Sequence, residues 1–121
     1  MAAIRYLVSD VDAATAFYTE RLGFRLQQQM GPAFAIVTRD GLSLWLAGPK
    51  SSAARAMPDG RTPVPGGWNR LVLQVADLAA EVETLRRAGV TFRNEVVTGP
   101  GGKQILLDDP DGNPVELFQP A

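Results

Sequence analysis

Apolar and mixed residues alternate along several short stretches of the chain, and the two sets separate cleanly. Ile4, Tyr6 and Val8 oppose Ala3, Arg5 and Leu7, and Leu42, Leu44 and Leu46 oppose Ser43, Trp45 and Ala47. Leu71, Leu73 and Val75 oppose Arg70, Val72 and Gln74, while Val115 and Leu117 oppose Glu116 and Phe118. A period of two marks β-strands with two unlike faces. The uniformly apolar set of each strand belongs beneath a helix. The other set gathers Arg5, Trp45, Arg70, Gln74, Glu116 and Phe118. It reads either as the wall of a small-molecule cleft, where apolar surface supplies burial and a few polar groups fix orientation, or as a solvated face.

Helical spacing follows two of these strands. Ala14, Phe17, Tyr18 and Leu22 recur after the first and are followed by Gly23; Leu78, Val82 and Leu85 recur after the second and are followed by Gly89. Asp10 or Asp12, and Asp77, are suited to cap the free N–H groups at the helix starts, and each glycine to take a left-handed conformation just past the end. The chain thus contains itself twice: Val8, Asp10 and Val11 fall on Val75, Asp77 and Leu78. Further apolar runs at Ala33–Thr38, Leu42–Ala47, Gln104–Leu107 and Val115–Phe118, with weaker ones around Phe24–Gln29 and Val90–Val97, complete two βαβββ units. Arg39-Asp40-Gly41 and Asp109 to Pro114 supply the hairpin turns.

The expected organisation is α+β: one domain over 1–121, with a first module at 1–48, a connecting segment at 49–67 and a second module at 68–121. Between Gly48 and Gly67 lie four prolines and four glycines with few large apolar residues. A connection of this length reads either as a functional lid or as a simple linker.

Composition narrows the chemistry. The 121 residues are 45% hydrophobic and 21% charged, as in a globular domain with a single core. Twelve lysines and arginines nearly balance thirteen aspartates and glutamates, so there is no electrostatic footprint for nucleic acid or an anionic membrane. The N-terminal apolar run is interrupted at Arg5 and ends at Ser9-Asp10, which reads as a cytoplasmic protein without a leader. Neither cysteine nor histidine is present, which removes thiolate chemistry together with the commonest metal ligand and general base.

Leu7-Val8-Ser9-Asp10, Ala16-Phe17-Tyr18 and Leu22-Gly23-Phe24, together with Asp109-Pro110-Asp111-Gly112-Asn113-Pro114-Val115-Glu116-Leu117, resemble the vicinal oxygen chelate superfamily. This group includes glyoxalase I, extradiol dioxygenases and bleomycin-binding resistance proteins. The resemblance spans nearly the whole chain and implies a curved mixed sheet with a concave pocket, and commonly a homodimer. Metal-dependent members carry four ligands, which the shared motifs map onto Ala3, Trp45, Arg70 and Glu116. Only Glu116 offers a ligand atom, and Arg70 places positive charge where a cation would sit. No metal or other cofactor is therefore expected. Arg70 is positioned to pair with Glu116, either to anchor a polar ligand group or as a structural ion pair.

Other motifs carry less. Aligning Gly112 with the glycine of a calcium-binding loop puts Leu107 and Phe118 at ligand positions, so 108–113 reads as a turn. Gly99 to Gln104 lacks both the early glycine and the hydroxyl residue of a phosphate loop. Trp45 is a candidate ligand contact because of its face, whereas Trp68, Phe34 and Phe92 default to core. The expected function is metal-free binding of a hydrophobic or aromatic small molecule, as in antibiotic-sequestering members of the family. The alternative is an enzyme of the lyase, isomerase or dioxygenase kind, working through Glu116 as a proton-transfer group or through a metal site formed by other residues. A protein-interaction module is a third class without a specific signal.

Overall fold

The computed structural model describes all 121 residues, which divide into two compact units, Met1–Pro65 and Gly66–Ala121.

The first unit opens with β1 (Ile4–Leu7), which runs into α1 (Val11–Arg21). Asp10 is the cap: its Oδ1 accepts the Ala13 N–H at 3.1 Å, satisfying one of the free donors of the first turn. Asp12 instead accepts from Gln29 Nε2 at 2.6 Å. The other end is closed by Gly23 at φ 71° and by Arg39, whose Nη1 donates to the Leu22 carbonyl at 2.7 Å. Val11, Ala14 and Tyr18 bury one side of the helix, and the Tyr18 ring meets Phe17 and Phe24 edge to face. Three strands follow: β2 (Arg25–Met30), β3 (Phe34–Arg39) and β4 (Leu42–Ala47). Asp40 and Gly41, at φ 50° and 80°, form the tight turn between the last two, a conformation matched to the twist of a hairpin. Their sheet has the order β1-β4-β3-β2, with β1 and β4 parallel and the rest antiparallel.

The second unit repeats this plan. β5 (Leu71–Gln74) leads into α2 (Leu78–Arg87), capped by Asp77 Oδ1 on the Ala80 N–H at 3.1 Å and closed by Gly89 at φ 84°. β6 (Thr91–Phe92), β7 (Val97–Gly99), β8 (Gly102–Asp108) and β9 (Pro114–Pro120) complete a sheet ordered β5-β9-β8-β6, with β7 also on β8. Leu71, Leu73, Val115, Leu117, Ile105 and Leu107 are buried together with Leu78, Val82 and Leu85 of α2.

Three expectations are corrected. The weak strand around Val90–Val97 is two strands, because Asn94 interrupts the ladder: its Oδ1 accepts the Leu106 N–H at 2.9 Å in place of a backbone carbonyl. Ile4, grouped with the helix-facing set, is 36% exposed at the strand's start, while Tyr6 and Val8 are buried. Trp68, assigned to the core by default, is 70% exposed. The segment after β4 carries local structure of its own: Ser52–Ala54 forms a short 3-10 turn, and Asp59 holds a turn by accepting from the Arg61 backbone and side chain.

Candidate functional site

Each unit presents the face of its sheet that points away from the helix-covered core, and the sequence-predicted residues fall into two groups accordingly.

In the first unit, Arg5 on β1 is in register with Trp45 on β4, which is in turn in register with Ile36 on β3. Residues opposite one another across a ladder point to the same side, so these three form a row. The next row is Leu7, Ala47 and Phe34. Phe34 and Trp45 meet edge to face with centroids 5.6 Å apart, and Trp45 Nε1 donates to Ser43 Oγ at 3.1 Å. The Arg5 guanidinium carbon lies 5.2 Å from the Trp45 ring centre and 6.0 Å from that of Phe34, within reach of cation–π attraction to both. Against the second row lies a mostly apolar cavity of about 250 Å³, lined by Leu7, Ala47, Ala54 and the prolines of the connecting segment, with Ser9 and Thr62 as its hydroxyl-bearing members. The proline-rich segment therefore walls an apolar space beside the aromatic pair.

In the second unit, Val72, Glu116 and Leu106 share a row, and Gln74, Phe118 and Gln104 share the next. Glu116 is buried, with 8% exposure, although it lies on the opposite face from Val115 and Leu117. Its Oε1 accepts from Arg70 Nε at 3.1 Å and from Arg70 Nη2 at 3.0 Å. Arg70 Nη1 also donates to the Trp68 carbonyl at 3.3 Å. Trp68 in turn lies under Arg93, whose guanidinium carbon is 4.7 Å from the indole ring centre. Arg93 is fixed by Asp108 Oδ1 at 2.6 Å and by the carbonyls of Gly67 and Gly112 at 2.7 and 2.8 Å. From the sequence, Phe34 and Trp68 default to the core and Arg93 is not singled out. For Phe34 a signal existed, since it occupies the parity of Trp45 across the Asp40-Gly41 turn; for Arg93 there was none, because its partners are remote in sequence.

The internal repeat is visible in the pairing itself. Arg5 opposite Trp45 and Val72 opposite Glu116 are the same parallel register in two units. The wider likeness accords with this. Over residues 1–117 the sequence fits the profile of the Glyoxalase/Bleomycin resistance protein/Dioxygenase superfamily.

The chain belongs to that superfamily. It is 31% identical over 120 residues to the Bacillus subtilis protein YurT, covering 93% of this chain and 92% of the relative. The fold is also that of the lactoylglutathione lyase from Agrobacterium tumefaciens, with a TM-score of 0.78 at 20% identity, covering 98% of this chain and 92% of the other. TnmS3, an antibiotic binding protein from Streptomyces sp. CB03234, superposes with a TM-score of 0.69 at 29% identity, covering 100% of this chain and 97% of TnmS3.

The residues do not form the metal set that the superfamily's metal-dependent members carry. At the positions onto which the resemblance maps that set, Ala3, Trp45 and Arg70 supply no ligand atom, and Glu116 Oε1 is occupied by two Arg70 N–H groups. No group of three or more histidine, cysteine, aspartate or glutamate side chains converges elsewhere in the chain. The acidic turn is likewise committed to its own backbone. Asp109 Oδ1 accepts the N–H groups of Asp111 and Asn113, and Asp109 Oδ2 accepts Asn113 Nδ2. No helix is long and apolar enough to cross a membrane.

Proposed function

We propose that this protein is a metal-independent binder of hydrophobic or aromatic small molecules, with Arg5 and Trp45 on one unit and Arg70, Gln74, Glu116 and Phe118 on the other as its contact residues. The observation that carries this reading is that three of the four positions onto which the resemblance maps the metal ligands, Ala3, Trp45 and Arg70, offer no ligand atom. Trp45 stands against the Phe34 ring, one row from a mostly apolar cavity, and the Glu116 carboxylate is paired with Arg70. Aromatic walls with few polar groups suit ligand burial better than Lewis-acid chemistry. The similarity to TnmS3 supports an antibiotic as one class of ligand. The reading includes one cytoplasmic domain of two modules, 1–48 and 68–121, joined through 49–67, which assembles as a homodimer and takes no cofactor. It is tested by thermal unfolding with a panel of aromatic natural products in the presence of a chelator. A saturable rise in Tm supports it, and a flat response across the panel counts against it.

A second reading is favoured by one feature of Glu116. Both Arg70 donors converge on Oε1, so neither engages Oε2 of a buried carboxylate, and a proton acceptor beside a fixed cation is the equipment of metal-free acid–base catalysis. On that reading Glu116→Gln abolishes turnover of a bound substrate while preserving its binding. An unchanged rate eliminates the role.

A further inference from the structure

Arg5 carries a charge that no carboxylate in the chain meets. The six ion pairs use Arg39, Arg61, Arg70, Arg86, Arg87 and Arg93. Arg5 is held instead by two rings, Trp45 and Phe34. The two rings stand nearly perpendicular, so the guanidinium lies flat on one of them at most, and its N–H edge donates to no acceptor in the chain. That edge matches the two oxygens of a carboxylate, with a pair of parallel hydrogen bonds. One row along the same sheet face, Leu7 and Ala47 begin the apolar cavity of about 250 Å³. An apolar site of roughly 150 Å³ accepts benzene, so this space suits one ring or two fused rings.

We propose that this face is a subsite for a small planar aromatic anion, such as an aryl carboxylate, whose ring enters the cavity beside Phe34 and Trp45 while its oxyanion takes the N–H edge of Arg5. The proposal rests on the small-molecule-binding reading above and adds the charge of the ligand and the residue that selects it. Arg5 is the specificity determinant because it places a positive charge directly beside the two rings. Its exposure makes the preference sensitive to salt, since screening weakens an accessible ion pair.

The test is calorimetric titration of the full chain with 1-naphthoate and with 1-naphthamide, which share a ring system and differ in charge. Native protein at low salt is expected to bind naphthoate about tenfold tighter, the ratio that one charge-assisted contact of about 1.4 kcal/mol supplies. In Arg5→Gln the ratio falls to about one, and Arg5→Lys restores part of it; circular dichroism of both variants checks that they remain folded. Equal affinity in the native protein, or a preference that survives in Arg5→Gln, overturns the charge selectivity while leaving the binding function standing. If neither naphthalene binds, this subsite is refuted, and the separate natural-product panel decides the broader reading.

Discussion

Arg70, immediately before β5, donates both Nε and Nη2 to a single oxygen of Glu116 on β9, at 3.1 and 3.0 Å. Glu116 is buried, whereas the Arg70 side chain retains 31% exposure. Removing the arginine alone strands a carboxylate with little access to water. Arg70→Ala is expected to lower stability by about 1–2 kcal/mol, below the cost for a fully buried pair because water reaches one partner. Replacing both residues together, as Arg70→Met with Glu116→Leu, is expected to recover most of that loss. Urea midpoints of the single and double variants make the comparison; a double variant no more stable than Arg70→Ala would show that the pair is not the source.

Thr15 presents the opposite situation, a buried hydroxyl without a partner. Its Oγ1 makes no hydrogen bond on the buried side of α1. Thr15→Val keeps the shape and removes the unsatisfied group, so stability should rise by roughly 1 kcal/mol. A thermal melt that shows destabilisation would mean that the hydroxyl has a role outside this packing.

Gly48 marks the point where β4 gives way to the proline-rich segment, and its N–H donates to the Ala33 carbonyl at 2.9 Å. A Cβ there would stand 2.7 Å from Val11 Cγ2 and 2.9 Å from the Pro32 carbonyl oxygen. Gly48→Ala should cost about 1–3 kcal/mol, the scale of overpacking in a core. Gly101→Ala is the control, since a Cβ at that position meets nothing within 4 Å. Similar unfolding midpoints for the two variants would contradict the close approach.

The two tryptophans separate cleanly as reporters. Trp68 is largely exposed beneath Arg93, whereas Trp45 is partly buried against Phe34 and Arg5. Trp68→Phe leaves Trp45 as the single indole, and ligand titration of that variant should still change the emission while reducing its quenching by acrylamide. A ligand that alters only the fluorescence lost with Trp68 would move the binding surface away from Trp45.

The strands and helices were legible because their cores obey simple periods. Leu44 and Leu46, Leu71 and Leu73, and Val115 and Leu117 are the alternating apolar positions, and all are buried. Asp10 and Asp77 cap their helices because a short acidic side chain precedes each periodic run. The split of the outer strand at Asn94 was hidden, since it depends on a side chain replacing a backbone acceptor for Leu106, twelve residues away. Arg93 escaped notice for the same reason. Its partners at Gly67, Asp108 and Gly112 are assembled by folding and leave no local pattern. Of the candidate site, the face that each residue occupies followed from parity along the strand. The meeting of Arg5 with Phe34 did not, because it needs the register of three strands at once.

The most direct test of metal-independent binding is native mass spectrometry of protein purified without chelator, then incubated with an aromatic ligand identified by the thermal panel and re-measured after chelator treatment. The account predicts a chain without stoichiometric divalent metal that gains the ligand mass equally before and after the chelator. A stoichiometric metal whose removal abolishes the ligand adduct would contradict it, and would mean that other carboxylates of the chain assemble a site on ligand binding.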